Sequence, residues 1–134
     1  MLEETFKALA DENRLRILNL LFRGNFCVCE LEVLLGLSQS NLSRHLSKLK
    51  SAGLITAKKD GQWVHYATST DFQSENALLL DYLHKKLPED ALCKKDLERL
   101  NNYRQSNLTC TVISDNKESV RRLIHLGESY AKEP

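Results

Sequence analysis

Mostly α-helical, with a small β-hairpin wing and extra C-terminal helices: the sequence predicts a winged helix-turn-helix, on three observations. First, between Ser38 and Lys50 the residues Leu42, Leu46 and Leu49 fall on one helical face. Asn41, Arg44, His45 and Lys48 fall on the other, a row of donors and cations spaced to meet phosphates and base edges. Second, Ile55-Thr56-Ala57-Lys58-Lys59 and Gln62-Trp63-Val64-His65-Tyr66 flank Asp60-Gly61, the signature of a tight hairpin with two lysines on one arm. Third, the overall charge is only +1, yet the window from Ser38 to Thr70 holds five Lys/Arg against the single acid Asp60. Both flanks carry a slight acidic excess, so the basic footprint suited to a polyanion is confined to the candidate helix and wing.

The elements follow in order. Leu2 to Ala10 is a short helix with Leu2, Phe6 and Leu9 on one side. Asp11 caps a second helix, Glu12 to Phe22, whose Leu15, Leu18, Leu21 and Phe22 take core spacing while Arg14 and Arg16 are expected outside. Gly24-Asn25 breaks it. Val28 to Leu35 forms a third helix, and Leu35-Gly36-Leu37-Ser38 is the turn into the fourth, polar-faced one, which Ser38 caps and Gly53 ends. After the hairpin, Phe72 to Leu87 is helical, with Leu78, Leu79, Tyr82 and Leu83 as an apolar stripe that suggests a two-fold dimer. Pro88 stops it. Leu92 to Tyr103 is amphipathic, Leu108 to Ile113 alternates like a strand or extended arm, and Asn116 to Ala131 is a further amphipathic helix. The expected organisation is a DNA-binding and dimerisation domain over 1–87, with 88–134 an extension packed on it.

At 134 residues, 42% apolar and 28% charged, the chain has the composition of a soluble globular domain. No apolar run reaches membrane-span length, so no membrane partner is expected. Met1-Leu2-Glu3-Glu4 lacks a signal-peptide start, and a cytoplasmic location is expected. In that reducing compartment Cys27, Cys29, Cys93 and Cys110 serve more readily as thiols, metal ligands or redox switches than as structural disulfides. An enzyme is disfavoured: there is no Cys-x-x-Cys, βαβ pattern, phosphate loop or paired acid and base.

Four stretches together carry a resemblance. They are Leu9-Ala10-Asp11-Glu12-Asn13-Arg14-Leu15-Arg16-Ile17-Leu18, the box Cys27-Val28-Cys29-Glu30-Leu31, Leu37-Ser38-Gln39-Ser40-Asn41-Leu42-Ser43-Arg44-His45-Leu46, and Ala52-Gly53-Leu54 followed by Gly61-Gln62-Trp63-Val64-His65-Tyr66. In this order they closely resemble the arsenic-repressor (ArsR/SmtB) family of bacterial metal-sensing repressors, over about the first half of the chain. The resemblance implies a homodimer that binds double-stranded operator DNA and leaves it when a toxic ion binds. It implies arsenite or antimonite at Cys27 and Cys29 as the inducer, with other soft ions such as cadmium, lead or zinc as alternatives. Ser40, Asn41, Ser43, Arg44 and His45 would face the major groove. Gln39 and Lys48 would hold phosphates, and Lys58, Lys59 and Gln62 would serve from the wing. Where the best-known arsenic box carries a third cysteine, this chain has Glu32; Cys93 or Cys110 is the candidate third ligand.

The chemistry suits the residues. Thiolates select soft ions, and a cysteine at a helix N-terminus has a lowered pKa. Residues two apart on a helix point about 200° apart, so both sulfurs could grip one ion only if the first turn of the third helix unwound. That motion would pass to the fourth helix through Gly36-Leu37-Ser38. A thiol-oxidation or polysulfide switch on the same cysteines, an architectural DNA binder without a ligand, and plain burial of the cysteines as small apolar residues are the other readings.

Overall fold

The computed structural model describes residues 2–106 together with 113, 120 and 124. Seven α-helices lie in residues 2–106: α1 (Leu2–Leu9), α2 (Glu12–Leu21), α3 (Val28–Leu35), α4 (Gln39–Ser51), α5 (Thr70–Glu75), α6 (Ala77–Lys86) and α7 (Ala91–Gln105). Three strands, β1 (Phe26–Cys27), β2 (Ile55–Asp60) and β3 (Trp63–Thr68), form an antiparallel sheet in the order β1-β3-β2. None of these helices is long and apolar enough to cross a membrane.

Side-chain caps start α2 and α4 where the sequence places them, and Asp90, not read as a cap from the sequence, starts α7 in the same way. Asp11 accepts from the N–H groups of Asn13 and Arg14 at 2.8 and 3.1 Å. Ser38 accepts from Asn41 N–H at 3.3 Å, and Asp90 from Cys93 N–H at 3.2 Å. Gly36 closes α3 in the left-handed conformation, φ 69°, which gives the sharp turn into α4 at no Cβ cost. Ile17, Leu18 and Leu20 of α2, Leu31 and Leu34 of α3, and Leu42, Leu46 and Leu49 of α4 are buried together in one core. The leucine face of α4 is thus anchored, and its other side turns outward.

Four expectations need correction. Arg14 and Arg16 are buried, because each is fully partnered. Arg14 donates from Nε to Ala8 O at 2.7 Å and from Nη2 to Lys7 O at 3.2 Å, satisfying the last carbonyls of α1. Arg16 grips Asp96 of α7 with Nε and Nη2, at 2.8 and 2.9 Å, and donates to Leu35 O at the end of α3 at 2.9 Å. The helix expected over Phe72 to Leu87 is two helices. Asn76, at φ −131° and ψ 40°, interrupts it, its side-chain amide donating to Phe72 O at 3.2 Å. The expected stripe divides accordingly: Leu83 is core, joined there by Leu80 from outside the stripe, Leu79 is half-buried, and Leu78 and Tyr82 stand 87% and 58% exposed.

Ile113, expected in a strand or extended arm, is helical and buried, since packing on the core overrides local alternation. Val120 and Ile124 are likewise helical and buried. The rest of the strand expected over 108–113 and of the helix expected over 116–131, Cys110 included, lies outside the described residues.

Candidate nucleic-acid interface and thiol site

The outer side of α4 carries Gln39, Ser40, Ser43, Arg44 and Lys48 exposed to solvent, with Asn41 half-buried. Arg44 Nη2 donates to Asn41 Oδ1 at 2.7 Å, so the guanidinium is held along the helix. Lys58, Lys59 and Gln62 are exposed on β2 and the wing turn. In that turn Gly61 takes φ 62°, and the register pairs Asp60 with Trp63 and Lys59 with Val64.

His45 does not belong to this surface. It is 4% exposed, with Nδ1 3.3 Å from Arg14 Nη1 and 3.8 Å from Asp11 Oδ1. The reason is angular: His45 lies three residues from Leu42 and four from Leu49, close enough to the buried stripe to turn under the helix. Burial holds its pKa below the ordinary histidine value, and the carboxylate of Asp11 opposes that shift.

The thiol pair is built by a strand meeting a helix. Phe26 and Cys27 pair with Tyr66 and His65 of β3, so Cys27 keeps an extended backbone (φ −85°, ψ 167°) and serves as N-cap of α3. Two residues are too few for an alternation signal, which is why β1 escapes sequence reading. Because Cys27 stands outside the helix and Cys29 inside its first turn, the two Sγ atoms lie 2.9 Å apart. Contrary to expectation, α3 therefore need not unwind to bring them together.

Cys27 is buried and disulfide-bonded, whereas Cys29 is a half-buried free thiol. Nor does the helix start acidify Cys29. Burial, reinforced by the carboxylates of Glu30 and Glu32, pushes its pKa up to about 11. The pair opens onto a cleft of about 460 Å³ bordered also by Glu32, Gln39, Gln62 and Trp63. The cleft thus joins the thiols to the first residue of α4 and to the wing.

Cys93 is not part of this cluster. It is a buried free thiol on α7, its pKa pushed up to about 12 by burial and then by Asp90. It faces a different cleft, lined by Leu9, Leu15, Leu87 and Asp90. Among the described residues no third His, Cys, Asp or Glu completes a metal-binding triad with Cys27 and Cys29. Sequence reading also missed Tyr103, whose hydroxyl donates to Glu30 Oε2. Glu30 Oε1 in turn accepts from Cys27 N–H at 2.9 Å. A Glu three residues after the cap position was the available signal for the second bond.

A helix-turn-helix whose outer face is polar, followed by a basic hairpin, defines a winged helix-turn-helix nucleic-acid-binding domain. Residues 11–57 match the model of the bacterial regulatory protein arsR family. The chain is 44% identical to the arsenical resistance operon repressor of Escherichia coli, over 58% of this chain and 68% of that one. The homodimeric winged helix-turn-helix domain of Mb0332 from Mycobacterium bovis, described as a possible ArsR-family transcriptional regulator, superposes with a TM-score of 0.56. Its identity is 30%, over 67% of this chain and 84% of that one. Reduced HlyU from Vibrio cholerae gives 0.51 at 40% identity, over 59% and 84%. The chain belongs to the arsR family of bacterial regulatory proteins.

Proposed function

We propose that this chain is a homodimeric transcriptional repressor that leaves its operator when a soft, thiophilic ion, arsenite or antimonite, binds Cys27 and Cys29. The observation that carries the reading is the placement of both sulfurs in one cleft with Gln39 and with Gln62 and Trp63. The name of the Escherichia coli relative supports the arsenical class. Exposed Leu2 and Phe6 on α1 and Leu78 and Tyr82 on α6, together with the homodimeric neighbour, support a dimer.

The chemistry needs Cys27 reduced. Arsenite, as the neutral trihydroxide, exchanges a hydroxyl for each thiol. One As–S bond forms, one As–O bond breaks, and the thiol proton leaves in water, so the raised pKa of Cys29 is no barrier at neutral pH. Two thiols leave one arsenic valence, which Cys110, outside the described residues, or a retained hydroxyl would fill. To straddle an ion the sulfurs must part. Cys27 is paired with His65 of the wing strand, so displacing it tilts the wing, while Gln39 on the same cleft disturbs the start of α4. A coupling of about 1–3 kcal/mol per site would weaken operator binding about 5- to 150-fold.

Arg44 is assigned to base recognition, with Ser40, Asn41 and Ser43 beside it. Gln39, Lys48, Lys58, Lys59 and Gln62 are assigned to phosphates or the adjacent minor groove.

A second reading is favoured by the disulfide-bonded state of Cys27: the signal would be oxidation, and a relative described as reduced fits that alternative. One experiment separates them. Operator release is measured by fluorescence anisotropy on titrating the reduced chain with arsenite, antimonite, cadmium, zinc and peroxide, counting free thiols. Release by arsenite that Cys27→Ser/Cys29→Ser abolishes supports the ion reading. Release by peroxide alone supports the redox one, and arsenite release that survives both substitutions defeats the cysteine assignment.

A further inference from the structure

Helix α7 reaches both ends of α3, the helix between the thiol pair and the turn into α4, directly at one end and through Arg16 of α2 at the other. At the N-terminal end, buried Tyr103 donates to Glu30 Oε2, and Glu30 Oε1 accepts from Cys27 N–H at 2.9 Å. At the C-terminal end, Asp96, 0% exposed, holds the guanidinium of Arg16 at 2.8 and 2.9 Å, and that guanidinium donates to Leu35 O at 2.9 Å. Arg99 completes the pair from α7 at 3.3 Å. Two further bonds dock α7: Asn19 Nδ2 donates to Cys93 O at 3.2 Å, and Arg104 Nη2 donates to Arg23 O at 2.7 Å.

From this bracket we infer that Tyr103 is a positioning residue for the thiol site, and that α7 sets how strongly events at Cys27 and Cys29 are felt by the DNA-reading half. The inference rests on the proposed function for its ligand. Tyr103 occupies one carboxylate oxygen of Glu30 and so keeps the other aimed at the Cys27 amide. That amide belongs to the residue that is at once cap of α3, member of β1 and thiol ligand. Holding it there fixes the backbone from which the Cys27 sulfur projects before an ion arrives, so that part of the ordering cost is met in the apo protein and only the side chains must turn apart. Burial, followed by the bond to Glu30, drives the Tyr103 pKa upward, and the hydroxyl remains a donor throughout the working range. The far clamp through Arg16 fixes the other end of α3. Strain at the thiols is then relieved toward the wing and α4, not absorbed by sliding of α3.

The test uses Tyr103→Phe, which removes one hydroxyl and keeps the ring. Three quantities are read on the full chain: amide exchange at Cys27 without any ion, affinity for arsenite, and ion-free operator affinity. Faster exchange at Cys27, with arsenite binding weakened about tenfold and operator affinity held within about twofold, is the expected result. A residue that merely supports the fold would move operator and arsenite affinity together. Unchanged exchange at Cys27 overturns the inference whether or not arsenite is the ligand. Unchanged arsenite affinity in the variant overturns it where the wild type binds arsenite. A wild type that ignores arsenite sinks the functional reading instead, leaving the exchange result to judge the clamp. Glu30→Ala provides the second route. On that background Tyr103→Phe should add almost nothing, and an undiminished effect there refutes the relay.

Discussion

Asp96→Ala is expected to destabilise the fold by about 3–5 kcal/mol, the range for removing one member of a buried ion pair. The structure fixes why the loss belongs in that range. Asp96 is completely buried, and the Arg16 side chain is only 8% exposed. The carboxylate accepts three bonds, two from Arg16 and one from Arg99. Charged hydrogen bonds contribute about 1.5–3 kcal/mol each, but these three share one anion and do not add. Without Asp96, Arg16 retains contacts to Leu35 O and to Asn13 Oδ1 at 3.1 Å and buries an uncompensated cation. Against a typical domain stability of about 5–15 kcal/mol, the loss would be roughly a fifth of the total or more. Urea unfolding followed by circular dichroism measures it. A drop below about 1 kcal/mol would mean that water replaces the carboxylate, and that α7 is not fastened to α2 as described. Asp96→Asn, which keeps the shape but not the charge, should fall between the two.

Three other outcomes are expected. Arg44→Ala should cost about 1–3 kcal/mol on operator DNA and much less on random sequence; equal losses on both would make Arg44 a phosphate contact only. His45 is held neutral by burial, so the unfolded chain takes up its proton at the ordinary value of 6.5 while the folded chain resists. Its contribution to stability is whole above that pH and is lost as pH falls below it toward the lower folded value. His45→Gln should flatten the decline in urea midpoint between pH 7.5 and 5.5, and an unaltered slope would contradict the burial argument. Finally, Leu78→Glu/Tyr82→Glu should leave a folded monomer by analytical ultracentrifugation. Its operator affinity should drop about 100-fold or more, the scale on which joining two reading heads raises affinity. A dimer that persists would place the contact elsewhere.

The sequence by itself determined the winged helix-turn-helix, because its elements are announced locally. Leucine spacing in α4, the caps Asp11 and Ser38, the left-handed glycines and the Asp60-Gly61 turn all act within a few residues of themselves. It also put Arg44 and the wing lysines on the outside, since their alternative was an apolar core with no partner for them. What only the tertiary structure decided is everything that depends on residues far apart in the chain. Arg16 reads as a solvent-facing cation until Asp96, eighty positions later, gives it a reason to be buried. His45 reads as a base contact until Arg14 and Asp11 arrive beneath it. Cys27 and Cys29 diverge on an ideal helix and meet only because β3 draws Cys27 into a strand. Tyr103 becomes part of the thiol site only once α7 is laid along α3. Pairing energies between distant groups leave no periodic trace in the sequence, and that is the physical boundary between what could be read and what had to be folded.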